Sequence, residues 1–198
     1  MSFNYNIPTP KCFVIREFIA SMIKTEFANQ LVRQPAKLIY GLKVLTEHTT
    51  PYDLDNKGYI TVSLGNLQEI SSNADYQRFN ATYEIWVNNT VLQDSSVVNQ
   101  DASEQSNKEI KEIALAIRYI LQAKENYEYP VGACPNSKRV KSIDFTPIFK
   151  DENTRSESIS LITFEVEYSE PVGEQALYPI TGSDGTIDND VKHKENYT

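Results

Sequence analysis

The chain has 198 residues, is 40% hydrophobic and 23% charged, and carries a net charge of −8 with a pI near 4.9. This is the composition of one core-forming globular domain, with or without a tail. The acidic balance argues against tight nucleic-acid binding, which needs clustered Lys and Arg to displace counterions.

Residues 1–8 are polar and read as extended. Thr9-Pro10 resembles an N-cap followed by proline at the first helical position. The run CFVIREFIASMIKTEF then places Ile15, Phe18, Ile19 and Met22 on one helical face, and this helix is expected to end near Leu31. AKLIYGLKVL (36–45) reads as a strand, TEHTTPYDLDNKG as a loop and YITVSLG (59–65) as a second strand. In FNATYEIWVNN (79–89), Phe79, Ala81, Tyr83, Ile85 and Val87 alternate with Asn80, Thr82, Glu84 and Trp86. Trp86 therefore lies on the more polar face. It packs in a second core, or it is an interface anchor of the kind tryptophan often supplies.

Residues 90–105 read as a long polar connection. Ser106 to Glu109 has the capping-box pattern, and IKEIALAIRYIL then sets Ile110, Ile113, Ala114, Ile117, Ile120 and Leu121 in helical register. The last structured feature is RVKSIDFTPIFKDENTRSESISLITFEVEY. One face reads Ile143, Phe145, Pro147 and Phe149, then Ile162, Phe164, Val166 and Tyr168. Pairing Phe145 with Phe164 makes a hairpin whose tip runs from Lys150 to about Ser158. Pro147 cannot donate to a ladder, so its strand is expected at a sheet edge or a bulge. After residue 168, six acids (Glu170, Glu174, Asp184, Asp188, Asp190 and Glu195) face only Lys192 and Lys194, an acidic tail without periodic pattern. The expected fold is α+β in the order αβββαββ, with a mainly antiparallel sheet flanked by two amphipathic helices. Residues 1–168 form the domain and 169–198 the tail.

Chemistry is sparse. His48 and His193 sit in polar segments without a visible triad, and Cys12 and Cys134 lack metal-ligand spacing. Asp53-Leu-Asp55-Asn-Lys57-Gly58 opens like a calcium loop but places Lys57 and Leu64 where oxygen ligands belong. No glycine-rich phosphate loop occurs. No catalytic residue, cofactor or metal is assigned. No stretch reaches the roughly 18 apolar residues of a membrane span, and the start of the chain lacks a signal-peptide pattern, so synthesis in the cytoplasm is expected.

The element order, the IALAIRYIL helix and the final hairpin ending in FEVEY resemble the tail-terminator and head-to-tail connector (neck) ring proteins of tailed bacteriophages. The Asn-, Lys- and Ile-containing composition fits an AT-rich phage genome, as in crAss-like phages. The resemblance covers about residues 9–168. It implies a virion protein of the neck or tail without catalytic activity. Its six-fold or twelve-fold homo-oligomeric ring would contact portal, neck or tail rings and let DNA pass without gripping it. On this reading the interface candidates are Trp86 and the hairpin residues Pro147, Phe149, Asp151, Glu152, Asn153, Arg155 and Glu157. Two other classes remain open: a cytoplasmic α+β module that binds a small molecule or peptide, and a hydrolase with dispersed carboxylates.

Overall fold

The computed structural model describes residues 5–6, 9–46, 58–92, 102–123, 137–148, 155–171 and 178–179. In chain order these form β1 (Tyr5–Asn6), α1 (Lys11–Arg33), a 3₁₀ turn (Leu38–Gly41), β2 (Lys43–Leu45), β3 (Gly58–Ser72), β4 (Tyr76–Leu92), α2 (Ala102–Gln122), β5 (Ser137–Ile148), β6 (Arg155–Pro171) and β7 (Tyr178–Pro179). The architecture is α+β, with a mixed five-stranded sheet in the order β2-β3-β4-β6-β5. Strands β3, β4, β6 and β5 are antiparallel to their neighbours, whereas β2 runs parallel to β3. A separate two-stranded pairing joins β1 to β7.

Both helices lie on one face of the sheet. Cys12, Ile15, Ile19, Ala20, Ile23 and Phe27 of α1 and Ile110, Ile113, Ala114, Ile117, Ile120 and Leu121 of α2 are buried there. They meet Ile60 and Val62 of β3, the alternating Ala81, Tyr83, Ile85 and Val87 of β4, and Ile162, Phe164, Val166 and Tyr168 of β6. The period of 3.6 in the helices and of 2 in the strands thus converge on one core. Tyr83 is buried whole, and its hydroxyl donates to the Cys12 carbonyl at 2.8 Å, so the polar end of a large core residue is satisfied by the first turn of α1.

Several elements differ from the sequence reading, each for a physical reason. Residues 36–45 are mostly a 3₁₀ turn, and only Lys43–Leu45 pairs as a strand, parallel to Tyr59–Thr61. Strand β3 is more than twice as long as expected, because NLQEISS pairs with β4 while staying exposed and so shows no burial alternation. Its turn into β4 is closed by Asn73, whose Oδ1 accepts from the amides of Asp75 and Tyr76 at 2.9 and 2.7 Å. Helix α1 begins at Lys11, not Pro10, with no side-chain cap from its own chain neighbourhood. Helix α2 begins at Ala102, so Ser106 is not an N-cap but a fully buried residue inside the helix. Strand β6 runs to Pro171, and Tyr178–Pro179 pairs with β1, so part of the segment read as tail belongs to sheet structure.

Gly58 opens β3 at φ +136°, a region that suits only glycine. A Cβ there would stand 2.3 Å from the Asn88 carbonyl oxygen. The close approach of β3 to β4 at this end therefore depends on the missing side chain.

Candidate interaction surface

The second face of the sheet carries no helix among the described elements. Register places Thr61, Trp86, Leu161 and Asp144 in one row across four strands, and Ser63, Glu84, Thr163 and Ser142 in the next. Trp86 sits near the middle of this open face with 38% of its surface exposed, and its indole N–H donates to Glu84 Oε2 at 3.2 Å. No second core covers Trp86 among the described residues.

Charges on the open face are arranged in pairs. Glu165 is nearly buried at the centre of a fork, with Arg139 at 2.7 Å on one oxygen and Lys141 at 2.8 Å on the other. The Lys141 hydrogen bond leads in holding the Glu165 carboxyl below the usual carboxylate range, with Arg139 adding to it. Arg78 pairs with Glu167 at 3.1 Å. Register also sets Lys43, beside Tyr59, on this face, so its cations stand near balance with Glu84, Asp144, Glu157, Glu165 and Glu167. Cations already engaged with carboxylates offer little to a phosphate.

Strand β5 is the edge of the sheet, as Pro147 suggested. The hairpin register differs from the expected one. Phe145 lies opposite Ser160, and Ile143 opposite Ile162, a slip of four residues along β6 from the Phe145–Phe164 pairing. An even slip preserves the face, so Ile162, Phe164, Val166 and Tyr168 still point to the core. A bulge between Val140 and Ser142 shifts the register by one more residue, so that Val140 lies opposite Phe164.

The interface candidates accordingly divide. Pro147 is in β5, paired in register with Ser158. Arg155 and Glu157 are not tip residues but belong to β6, opposite Leu92 and Thr90, and Glu157 is buried. Phe149, Asp151, Glu152 and Asn153 lie outside the described residues, as do His48, His193, Cys134, Asp53 and Asp55. The 90–105 connection is shorter than expected, since Thr90–Leu92 extend β4 and Ala102–Gln105 begin α2.

The tip end of the hairpin strands meets α2 through a polar network that the sequence did not announce. Ser106 Oγ donates to Ser158 Oγ at 3.0 Å, and Ser158 Oγ donates to Asn107 Oδ1 at 3.0 Å. Glu109 accepts from Asn89 Nδ2 at 3.0 Å and from Gln105 Nε2 at 2.8 Å. The Ser106-to-Glu109 pattern thus serves tertiary contact, not helix capping. Beside it a groove of about 310 Å³ runs between α2 and the β5–β6 edge, lined by Asn107, Ile110, Lys111, Phe145, Thr146, Ser158 and Ile159. Phe145 is 40% exposed there. Its place in the apolar face of the hairpin was legible, but its exposure depends on where α2 ends its coverage.

Cys12 and Tyr168 face each other at the other end of the core. Burial pushes the Cys12 thiol up, and burial first, then neighbouring Cys12 and Glu170, pushes the Tyr168 phenol far above its ordinary range. Both are therefore neutral at ordinary pH, which suits packing more than nucleophilic chemistry. Among the described residues no three His, Cys, Asp or Glu side chains converge as a metal site would require. No described helix is long and apolar enough to cross a membrane.

No protein-family model matches this sequence, and no curated protein matches it.

Proposed function

We propose that this chain is a structural virion protein: a neck or tail-terminator ring subunit at the portal–tail junction of a tailed bacteriophage. The observation that carries the reading is the one-sided sheet. Its helices cover one face, while the other is open and carries Arg78, Arg139 and Lys141 each paired with a carboxylate. In the proposed ring the open face lines the passage, where DNA moves past without being held. Trp86 is the contact offered there to a segment of a neighbouring portal, neck or tail protein. Pro147 and the hairpin that contains it belong to the lateral contact between subunits, which is heterologous in a closed ring.

Light scattering of the full chain across a wide concentration range, followed by negative-stain imaging, tests this reading. Closed six-fold or twelve-fold rings, alone or on addition of portal or tail proteins, are the expected result. A particle that stays monomeric under all of these conditions sinks it.

The α2–β5 groove favours a second reading, a cytoplasmic module that binds an extended peptide beside Phe145. Its signature is a monomer that protects Phe145 and Lys111 from labelling only when a peptide is added.

A further inference from the structure

The two edges of the sheet are unequally defended. The β5 edge carries Pro147, Lys138 and Lys141, residue types that keep an edge strand from acquiring a neighbour. On the β3 edge, β2 occupies only Tyr59–Thr61, and residues 62–72 have no partner on that side among the described strands. That stretch contains neither proline nor lysine, and its one charge is Glu69. Leu67 and Ile70 stand 42% and 47% exposed on it. A bare strand of this kind is a template for another strand. A contact between two identical strands must in turn be self-complementary.

A two-fold axis normal to the sheet runs two β3 strands antiparallel and keeps both helix layers on one side. Directly opposed residues then share a face. In the regular run 66–69, Leu67 and Glu69 lie on the core side, level with Ala81 and Phe79, and Asn66 and Gln68 on the open side, level with Thr82 and Asn80. The axis must therefore pass level with a residue, which meets its own copy. An axis at Leu67 sets Asn73 of the second copy level with Thr61, where Leu45 already sits, and an axis at Asn66 drives the strands further into β2. An axis at Glu69 sets two carboxylates directly opposite each other. An axis at Gln68 meets neither obstacle. Gln68 then faces Gln68 of the second copy, amide against amide. Leu67 faces the second copy's Glu69, and Leu64 faces its Ser72. Between these two pairs each strand has two residues, one of them a bulge (Gly65 on one strand, Ile70 on the other). The bulges offset each other and the faces stay matched. Asn73 of the second copy comes level with Ser63, short of Leu45.

We propose that residues 64–72 of β3 pair antiparallel with the same residues of a second copy of this chain, about a two-fold axis at Gln68, which makes one sheet across the pair. The pairing stands apart from the ring reading, because an isologous contact closes as a dimer by itself. In a ring whose open face lines the passage, its axis lies along a radius, so that it joins two rings.

Light scattering of the full chain over a concentration series, with deuterium exchange on the same samples, tests the pairing. A dimer is expected whose 64–72 amides exchange more slowly than those of the dilute chain. Gln68 is exposed in the single subunit, so charging it spares the core. Gln68→Glu and Gln68→Lys should each raise the concentration for half-association by about fivefold. An equimolar mixture of the two should restore it, because a residue on the axis meets its own copy. Thermal melts establish that both variants are folded. A chain that stays monomeric alone overturns the pairing, and the ring reading falls with it only if portal or tail proteins also fail to assemble the chain. Assemblies whose 64–72 amides exchange as fast as those of the dilute chain overturn the pairing and leave the ring reading standing. Single variants that associate like the native chain, or a mixture that fails to recover, overturn the axis at Gln68 and the proposal with it.

Discussion

The backbone N–H of Lys11 donates to Glu170 Oε1 at 2.9 Å, and the Lys11 ammonium reaches the Ser169 carbonyl at 2.7 Å. The first amide of α1, which has no partner within the helix, is thus satisfied by a carboxylate from the end of β6. A negative group at this position also complements the helix dipole. The contact spans almost the whole domain in sequence and locks the first helix to the last long strand.

Glu170→Ala should therefore lower stability by about 0.5–2 kcal/mol, the usual cost of a lost cap. For a chain of this size that is a melting shift of about 2–6 °C. Glu170→Gln, which keeps an acceptor oxygen, should recover part of the loss in the same melt.

Gly58→Ala meets two penalties together, an unfavourable φ and a collision with the Asn88 carbonyl. A loss of about 1–3 kcal/mol is expected in urea unfolding. An unchanged midpoint would mean that β3 enters the sheet differently.

Glu165 gives the fold an acid-sensitive component. Its folded pKa is below the ordinary 4.5, so the folded state holds the proton less tightly than the unfolded chain. The stabilisation is full above the unfolded value and is lost as pH falls through the folded one. The melting difference between the native chain and Glu165→Gln should be largest near neutrality. It should shrink steadily below a pH of about 4.5.

Ser158→Ala leaves Ser106 Oγ without its acceptor in Ser158 and removes the bond to Asn107. Ser106 Oγ keeps the Asn89 carbonyl at 3.4 Å as an acceptor, so a cost of about 0.5–1.5 kcal/mol is expected from denaturant titration. Trp86→Ala should behave oppositely, changing stability little while weakening capture of a neighbouring ring protein in a pull-down with purified components. A variant that binds as well as the native chain would remove Trp86 from the contact.

How much of this was legible depends on how local the determinant is. The isoleucines of α2 and the alternation of β4 announce themselves, because period and burial coincide along one segment. The extension of β3 through Gln68 and Glu69 does not, because its ladder depends on β4 and its side chains stay in water. AKLIYGLKVL looked like a strand by apolarity, yet only three of its residues find a ladder. Ser106 carried a valid capping pattern, but residues 102–105 also form helix and turned the pattern inward. The hairpin's faces followed from parity, whereas its register depended on a bulge at Lys141 and on the partnership of β6 with β4. Trp86 could be assigned a face but not an exposure, since nothing in its own strand says whether a layer covers it.

Strand β2 is three residues long, and its small size has a positional consequence. Leu45 ends it beside Thr61, so any strand laid along the rest of β3 runs into that end. Sliding by two residues is the common error when strands associate, because it keeps every side chain on its proper face. Here a slide toward Gly58 is stopped by the chain itself. A parallel stub that looks too short to strengthen the sheet thereby acts as an end-stop for any strand laid along the rest of β3.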